Sequence, residues 1–292
     1  MFSVLTILSV LLSLNVSLSA AVLPPGFVIR QFPHTRDKVT SMKIEENVSY
    51  GGTSFKETIW YKTPGKLRVV LDLVGDGVTF IRNGSECVLL SGGKRIKFDA
   101  CPSVNTNFYY NLLTPYGNYI EYIKTLSINA MEGAVSIKKM DDGTYSKSEG
   151  VYLARLDKKP IYIIGITDGV YKSAASDGVD MIASNLKDKG PQVWLSGENF
   201  YPIRVFGSNG VEIKLGGYVS DGNEVPFPHS ISFISGGETK VSYGVTAFET
   251  ETDLNDELFD VKGAKKKSTA FLEDQNISEI KKKLIGYVKE FR

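Results

Sequence analysis

Histidine and cysteine, the side chains that most often hold metals or carry proton and thiol chemistry, are scarce in this sequence. Among 292 residues they occur only as His34, His229, Cys87 and Cys101. Neither histidine has a neighbour at metal-ligand spacing, and the cysteines form no Cys-x-x-Cys pair. There is no Gly-x-Ser-x-Gly elbow, phosphate loop or dinucleotide fingerprint. The acidic pairs Asp141-Asp142 and Asp253 with Asp256 lie among turn residues. There a solvated turn is the ordinary outcome, rather than two carboxylates sharing acid/base work. The chain therefore reads as non-catalytic, with no metal and no cofactor.

What the cysteines can do is pair. Val4 to Leu18 is almost wholly apolar and is followed by Ser19-Ala20-Ala21, whose small residues suit a cleavage site. Residues 1–21 thus read as a signal peptide, and no cysteine follows that could carry a lipid anchor. In an exported protein an isolated cysteine pair reads as a disulfide. Cys87 and Cys101 flank the turn-like Ser91-Gly92-Gly93-Lys94, and a hairpin centred on Lys94 places them opposite each other.

The elements that would carry these residues are mostly strands. A net charge of +1 excludes the basic excess of a nucleic-acid binder. Leu67, Val69, Leu71 and Leu73 alternate with other residues at a period of two. Residues 41–101 read as an antiparallel meander of about five strands. Residues 103–126 read as two short aromatic helices separated by Pro115 and Gly117. Strands return over 126–166, and 167–190 is a polar insertion. Within residues 190–205 two alternating apolar runs flank a Gly197-Glu198-Asn199 turn, a hairpin pattern. Further strands run to about Val261. A basic linker, 262–275, leads to an amphipathic helix over 276–292. There Asn276 and Glu279 have capping-box spacing, and Ile277, Ile280, Leu284, Tyr287 and Phe291 form one stripe. That helix either docks on the convex side of the sheet or meets an anionic membrane surface or a partner through Lys281, Lys282 and Lys283.

With no catalytic constellation, binding by apolar surface is what remains. Alternate residues of a half-buried sheet share one face. Leu67, Val69, Leu71, Phe80, Ile163, Val193, Leu195, Ile203, Val205, Ile213, Leu215, Ile231, Phe233, Val241, Tyr243 and Val245 are assigned to it, with Tyr109 and Leu112 facing it from the helices. Such a face is either an ordinary core or a lipid cavity beneath a helical lid.

The order of these runs, closed by Leu254-Asn255-Asp256-Glu257-Leu258-Phe259, resembles the lipoprotein-carrier superfamily of the bacterial periplasm (LolA- and LolB-like). Trp60 to Val69 is similar to that family's strand, basic-Pro turn and strand, and Phe80 to Leu89 to its Asn-Gly hairpin. The resemblance implies a mainly β (α+β) domain over 22–261. It would be a single curved antiparallel sheet, a half-barrel of about ten strands, with helices on its concave face. It further implies non-catalytic periplasmic binding of lipid acyl chains or lipoproteins, for transport or sorting to the outer membrane. The alternative is a scaffold or sensor of the same fold that binds an envelope protein.

Overall fold

The computed structural model describes residues 31, 39–72, 77–96, 101, 192–207, 210–268, 270–272 and 277–292, together with short strands between 138 and 172. Residues 1–21, the aromatic segment with Tyr109 and Leu112, and the core of the 167–190 insertion lie outside the described residues.

The chain is mainly β. Its first meander comprises β1 (Ser41–Tyr50), β2 (Thr53–Lys62), β3 (Lys66–Asp72), β4 (Val78–Asn83), β5 (Glu86–Ser91) and β6 (Lys94–Ile96). The middle holds β7 (Lys138–Lys139), β8 (Thr144–Ser146), β9 (Val151–Leu156), β10 (Lys159–Ile164) and β11 (Tyr171–Lys172). The second meander is β12 (Gln192–Ser196), β13 (Pro202–Phe206), β14 (Val211–Ser220), β15 (Pro226–Ser235) and β16 (Glu238–Thr250). Among the described residues thirteen of these strands form one open, curved antiparallel sheet, in the order β6-β5-β4-β3-β2-β1-β16-β15-β14-β13-β12-β10-β9. Strands β7, β8 and β11 make a small separate sheet.

The sheet is larger than the ten strands expected. Lys94–Ile96 is too short to show a period, and β9 and β10 extend the far edge. Neighbours in the sheet are mostly neighbours in sequence, which short polar turns dictate. The exceptions are β10 beside β12, which skips β11, and the central seam. There β1 pairs with β16 from Met42 opposite Thr250 to Tyr50 opposite Val241, with a bulge at Glu45/Glu46. This long-range pairing fuses the two meanders into one sheet.

A disulfide joins Cys87 and Cys101. The ladder is not centred on Lys94, however. Ser91 faces Lys94 and Leu89 faces Ile96, so the turn is Gly92-Gly93, both at positive φ. Cys101 thus reaches Cys87 from beyond the hairpin register.

Among the described residues a 3-10 turn (Asp256–Phe259) precedes two bounded α-helices, α1 (Val261–Lys267) and α2 (Glu279–Phe291). The segment read as a basic linker therefore opens as helix. The Asp260 side chain caps α1 by accepting from the Gly263 N–H at 2.8 Å, and Lys265, Lys266 and Lys267 suit its C-terminal dipole. Val261 and Ala264 of α1 pack against Ile81, Val88 and Leu90. Beyond α1 the chain runs along the β6 edge. The Arg95 N–H donates to Ala270 O at 2.9 Å and the Leu272 N–H to Arg95 O at 2.8 Å, so this strap covers a sheet edge that would otherwise be open.

Candidate binding face

Strand alternation gathers the sequence-assigned residues as expected, with few exceptions. Leu67, Val69, Leu71, Phe80, Val193, Leu195, Val205, Ile213, Leu215, Ile231, Phe233, Val241, Tyr243 and Val245 belong to one apolar cluster, and none exceeds 7% exposure. Ile163 does not join them. It stands opposite Trp194 across the β10/β12 ladder, whereas Tyr162 and Ile164 share the face of Leu195 and Val193. Ile161 to Ile164 are all buried, on both faces, so no polar residue marks the phase. Ile203 is only half-buried and lies outside the cluster, next to a bulge between Trp194 and Leu195.

Sequence reading missed the centre of the face. Met42, Ile44 and Val48 of β1 and Phe55, Ile59 and Tyr61 of β2 also point into the cluster. Their period of two is broken in the sequence by Glu46 and Glu57, which occupy apolar-phase positions yet are buried at 2% and 1%. Two glutamates at inward positions of adjacent strands were the available signal.

Helix α2 covers this centre. Its N-cap is Ser278, whose hydroxyl accepts from the Lys281 N–H at 3.3 Å. Asn276 is therefore not the cap, because the helix starts two residues later than expected. The buried stripe keeps Leu284, Tyr287 and Phe291 but takes in Ile285 and Val288 rather than Ile280. Leu284, Ile285, Tyr287, Val288 and Phe291 are buried, while Ile280 is 43% exposed. The helix docks on the face that carries the candidate residues, not on the opposite one. Tyr287 meets Phe55 edge-on with ring centroids 5.1 Å apart, and Phe291 meets Phe233 edge-on at 5.7 Å. At the solvent edge, the Tyr50 hydroxyl donates to Glu290 at 2.9 Å and Lys283 Nζ donates to Gly51 O at 3.1 Å.

The polar knot beneath α2 is fully buried. Arg292 Nε donates to Glu57 Oε1 at 2.9 Å, and Nη2 donates to Glu57 Oε2 at 2.8 Å and to Glu46 Oε1 at 2.9 Å. Its Nη1 donates to the Phe291 carbonyl at 2.8 Å, and the Tyr287 hydroxyl donates to Glu57 Oε2. The guanidinium also lies 4.9 Å from the Tyr243 ring centroid. Burial pushes the Tyr243 and Tyr287 hydroxyls well above the ordinary tyrosine range, so both stay neutral hydrogen-bonding groups. Burial, reinforced by the bond to Glu290, also raises Tyr50 to about 12.

The other face is less apolar. A cleft of about 550 Å³ lies there between α1 and strands β3 to β5, lined by Arg68, Thr79, Gly92, Gly93, Asp260 and Lys267 among others. Burial lowers the Arg68 pKa, and its Nη1 donates to Leu258 O at 3.3 Å. Among the described residues no group of three metal-ligating side chains exists, and no helix is long and apolar enough to cross a membrane.

No family model matches this chain, and no curated protein does. Solved structures similar to it include a domain assigned to outer membrane lipoprotein sorting from Vibrio parahaemolyticus. That domain is 11% identical, with 83% of this chain and 98% of that one covered and a TM-score of 0.40. A LolA superfamily protein from Nitrosomonas europaea is 9% identical over 81% of this chain and 97% of that one, at a TM-score of 0.41. The MucA/MucB complex of Pseudomonas aeruginosa matches at 9% identity over 82% of this chain and 62% of that one, at a TM-score of 0.32. These likenesses are of fold.

Proposed function

We propose that this chain is a non-catalytic binding protein of the bacterial envelope whose apolar sheet face takes up acyl chains of lipids or lipoproteins. The observation that carries this reading is the composition of that face. From β4 to β12 its inward side chains form one apolar cluster, and its buried ion pairs are confined to the knot under α2. A non-directional apolar surface suits chains of variable length and saturation, which offer no polar handle for specific recognition. The carrier-like arrangement of strands and turns in the sequence points the same way. Export by residues 1–21 would place the protein in the periplasm, and the Cys87–Cys101 bridge suits an oxidising compartment.

The test is native mass spectrometry of the full chain purified without detergent, followed by titration with cis-parinaric acid. Co-purified lipid and saturable fluorescence are the expected results. A lipid-free sample that neither binds the probe nor loses it to oleate would overturn the reading.

A second reading draws on one specific observation: every described candidate residue of the cluster is buried by the chain itself. If that cover is permanent, the face is a core. The protein then acts as a scaffold or sensor that contacts an envelope protein through other surfaces. A lipid-free chain that co-purifies with one stoichiometric protein would be its mark.

A further inference from the structure

We infer that the cleft between α1 and strands β3 to β5 binds a small zwitterion, an oxyanion and an ammonium carried on one short, partly apolar body. Free amino acids, short peptides and the ethanolamine phosphate headgroup share that chemistry. The cleft lies on the opposite face from the apolar cluster. Ile81 and Leu90 line it, whereas their neighbours Phe80 and Leu89 point into the cluster. The inference therefore stands whether or not the cluster takes up lipid.

Charge singles the cleft out. Arg68 and Lys267 line it, and so do Glu257 and Asp260. Among the described residues none of the four makes an ion pair, with one another or elsewhere. Arg68 is half-buried, and its side chain has one hydrogen bond among the described residues, from Nη1 to Leu258 O at 3.3 Å. Its Nε and Nη2 are thus held partly out of water with no carboxylate against them, and burial lowers the pKa unopposed. A desolvated cation without a counter-ion is unfavourable, and an oxyanion held in the guanidinium fork relieves it. The two carboxylates are exposed and positioned. Asp260 Oδ1 accepts from the Gly263 N–H at 2.8 Å, and a Cβ at residue 263 would collide with that carboxylate. Glu257 sits in the 3-10 turn that Lys62 and Lys66 anchor through Asp256.

The space fits a molecule rather than a lone ion. Its volume of about 550 Å³ falls within the roughly 300–1,000 Å³ of small-molecule sites. Ile81, Leu90 and Ala264 supply apolar surface for the body of the ligand. Gly92 and Gly93 bring the β5–β6 turn to the cleft, and their N–H groups make no backbone hydrogen bond among the described residues. A Cβ at either glycine would meet nothing within 4 Å, so the backbone is open to approach. An anion alone would meet the Glu257 and Asp260 carboxylates, and a cation alone would meet Arg68 and Lys267. A molecule carrying both signs complements both pairs.

The experiment is amide NMR titration of the isotope-labelled full chain with leucyl-leucine and with O-phosphoethanolamine, against acetate, inorganic phosphate and ethanolamine. Wild type should show saturable shifts at the Gly92, Gly93 and Gly263 amides with at least one zwitterion. Each simple ion should bind about tenfold more weakly or worse. Binding of the peptide alone would assign the site to amino acids or peptides, and binding of the phosphate ester alone to a headgroup; either supports the site. Arg68→Gln should weaken zwitterion binding about tenfold or more. Glu257→Gln changes an exposed side chain and leaves the fold intact. It should weaken zwitterion binding about two- to fivefold and strengthen phosphate binding by a similar factor. Those opposite signs belong to a carboxylate that meets an ammonium, and loss of structure would not produce them. Simple ions that bind as tightly as both zwitterions would overturn the inference. So would the absence of shifts at those glycine amides, or a Glu257→Gln chain with both affinities unchanged.

Discussion

Glu46 and Glu57 stand directly opposite each other on β1 and β2, both facing the apolar cluster, and the Arg292 guanidinium bridges them. Like charges at paired positions of a ladder are unfavourable. Buried, they are more so. The pair is tolerable because a group from the far end of the chain supplies a fork of donors that satisfies both. The sequence separation is 235 residues between Glu57 and Arg292, so this contact exists only once the β1–β16 seam has formed and α2 has docked.

Removal of Arg292 leaves two buried carboxylates without their bridging cation. Arg292→Ala should therefore cost about 3–5 kcal/mol. Replacing the whole knot, as Glu46→Leu/Glu57→Leu/Arg292→Met, should return stability to near or above wild type, because desolvation of three charges is avoided. Urea unfolding midpoints of the three chains check this. An Arg292→Ala midpoint equal to wild type would mean the knot does not hold α2.

Asp256 gives an acid-side prediction. Lys62 and Lys66 each donate to its carboxylate at 2.9 Å and lower its pKa from 3.8 to about 2. A depressed carboxyl pKa favours the folded state above pH 3.8, and the benefit fades as pH falls through about 2. Side-chain NMR titration should place the Asp256 midpoint near 2, and Lys66→Ala should move it back toward 3.8. An unshifted midpoint in wild type would show that the two amines do not engage it in solution.

The buried stripe of α2 is testable by contrast. Ile280 is 43% exposed, whereas Val288 is fully buried. Ile280→Ser should change stability by no more than about 0.5 kcal/mol. Val288→Ala should cost about 1–3 kcal/mol, from lost burial and a cavity. Thermal melts of both single variants suffice. The reverse order would restore the stripe read from spacing alone.

That contrast shows where sequence was legible and where it was not. Strands with one wet face, such as β3 and β14, declared their inward residues through strict alternation, and Leu67, Val69, Ile213 and Leu215 lie where alternation put them. Ile163 was misplaced because Ile161 to Ile164 are buried on both faces, and the lone exposed Lys159 at the strand's start is too little to set the phase. The helix cap was misread because Asn276 and Ser278 are both competent caps two residues apart, and spacing cannot choose between them. Glu46 and Glu57 interrupt the apolar alternation of β1 and β2 in the sequence. Only the tertiary contact with Arg292 explains charge at inward positions.

The disulfide closes a separation of 14 residues around the Gly92-Gly93 turn, next to the strapped edge. Cys87→Ala/Cys101→Ala should lose roughly 3 kcal/mol in the chain-entropy model. The loss should fall on unfolding of the whole domain, since β5 carries Leu89 of the main cluster. Guanidinium melts of the oxidised chain and the double variant check the size. A difference below a few tenths of a kcal/mol would show that the unfolded chain is already ordered around this hairpin.

The final prediction concerns whether α2 rests on the candidate face in solution. Phe233 of β15 was assigned to that face from strand alternation, and Phe291 belongs to α2. Their rings meet edge-on at 5.7 Å, the arrangement favoured by aromatic quadrupoles. Each Phe→Ala substitution removes a buried ring and should cost about 3–5 kcal/mol alone. If the two rings touch, the double variant should cost less than the two losses together, with a coupling of about 0.5–1.5 kcal/mol. Phe227, which stacks on Phe248 with centroids 4.3 Å apart, makes a control. It is equally buried but lies six residues from Phe233 along β15, ~20 Å at 3.3 Å per residue, so a Phe227→Ala/Phe291→Ala pair should come closer to additivity. Urea unfolding of both cycles at one pH gives the comparison. Additivity in the Phe233/Phe291 cycle would separate the helix from the face and remove the ground for treating that face as its footprint.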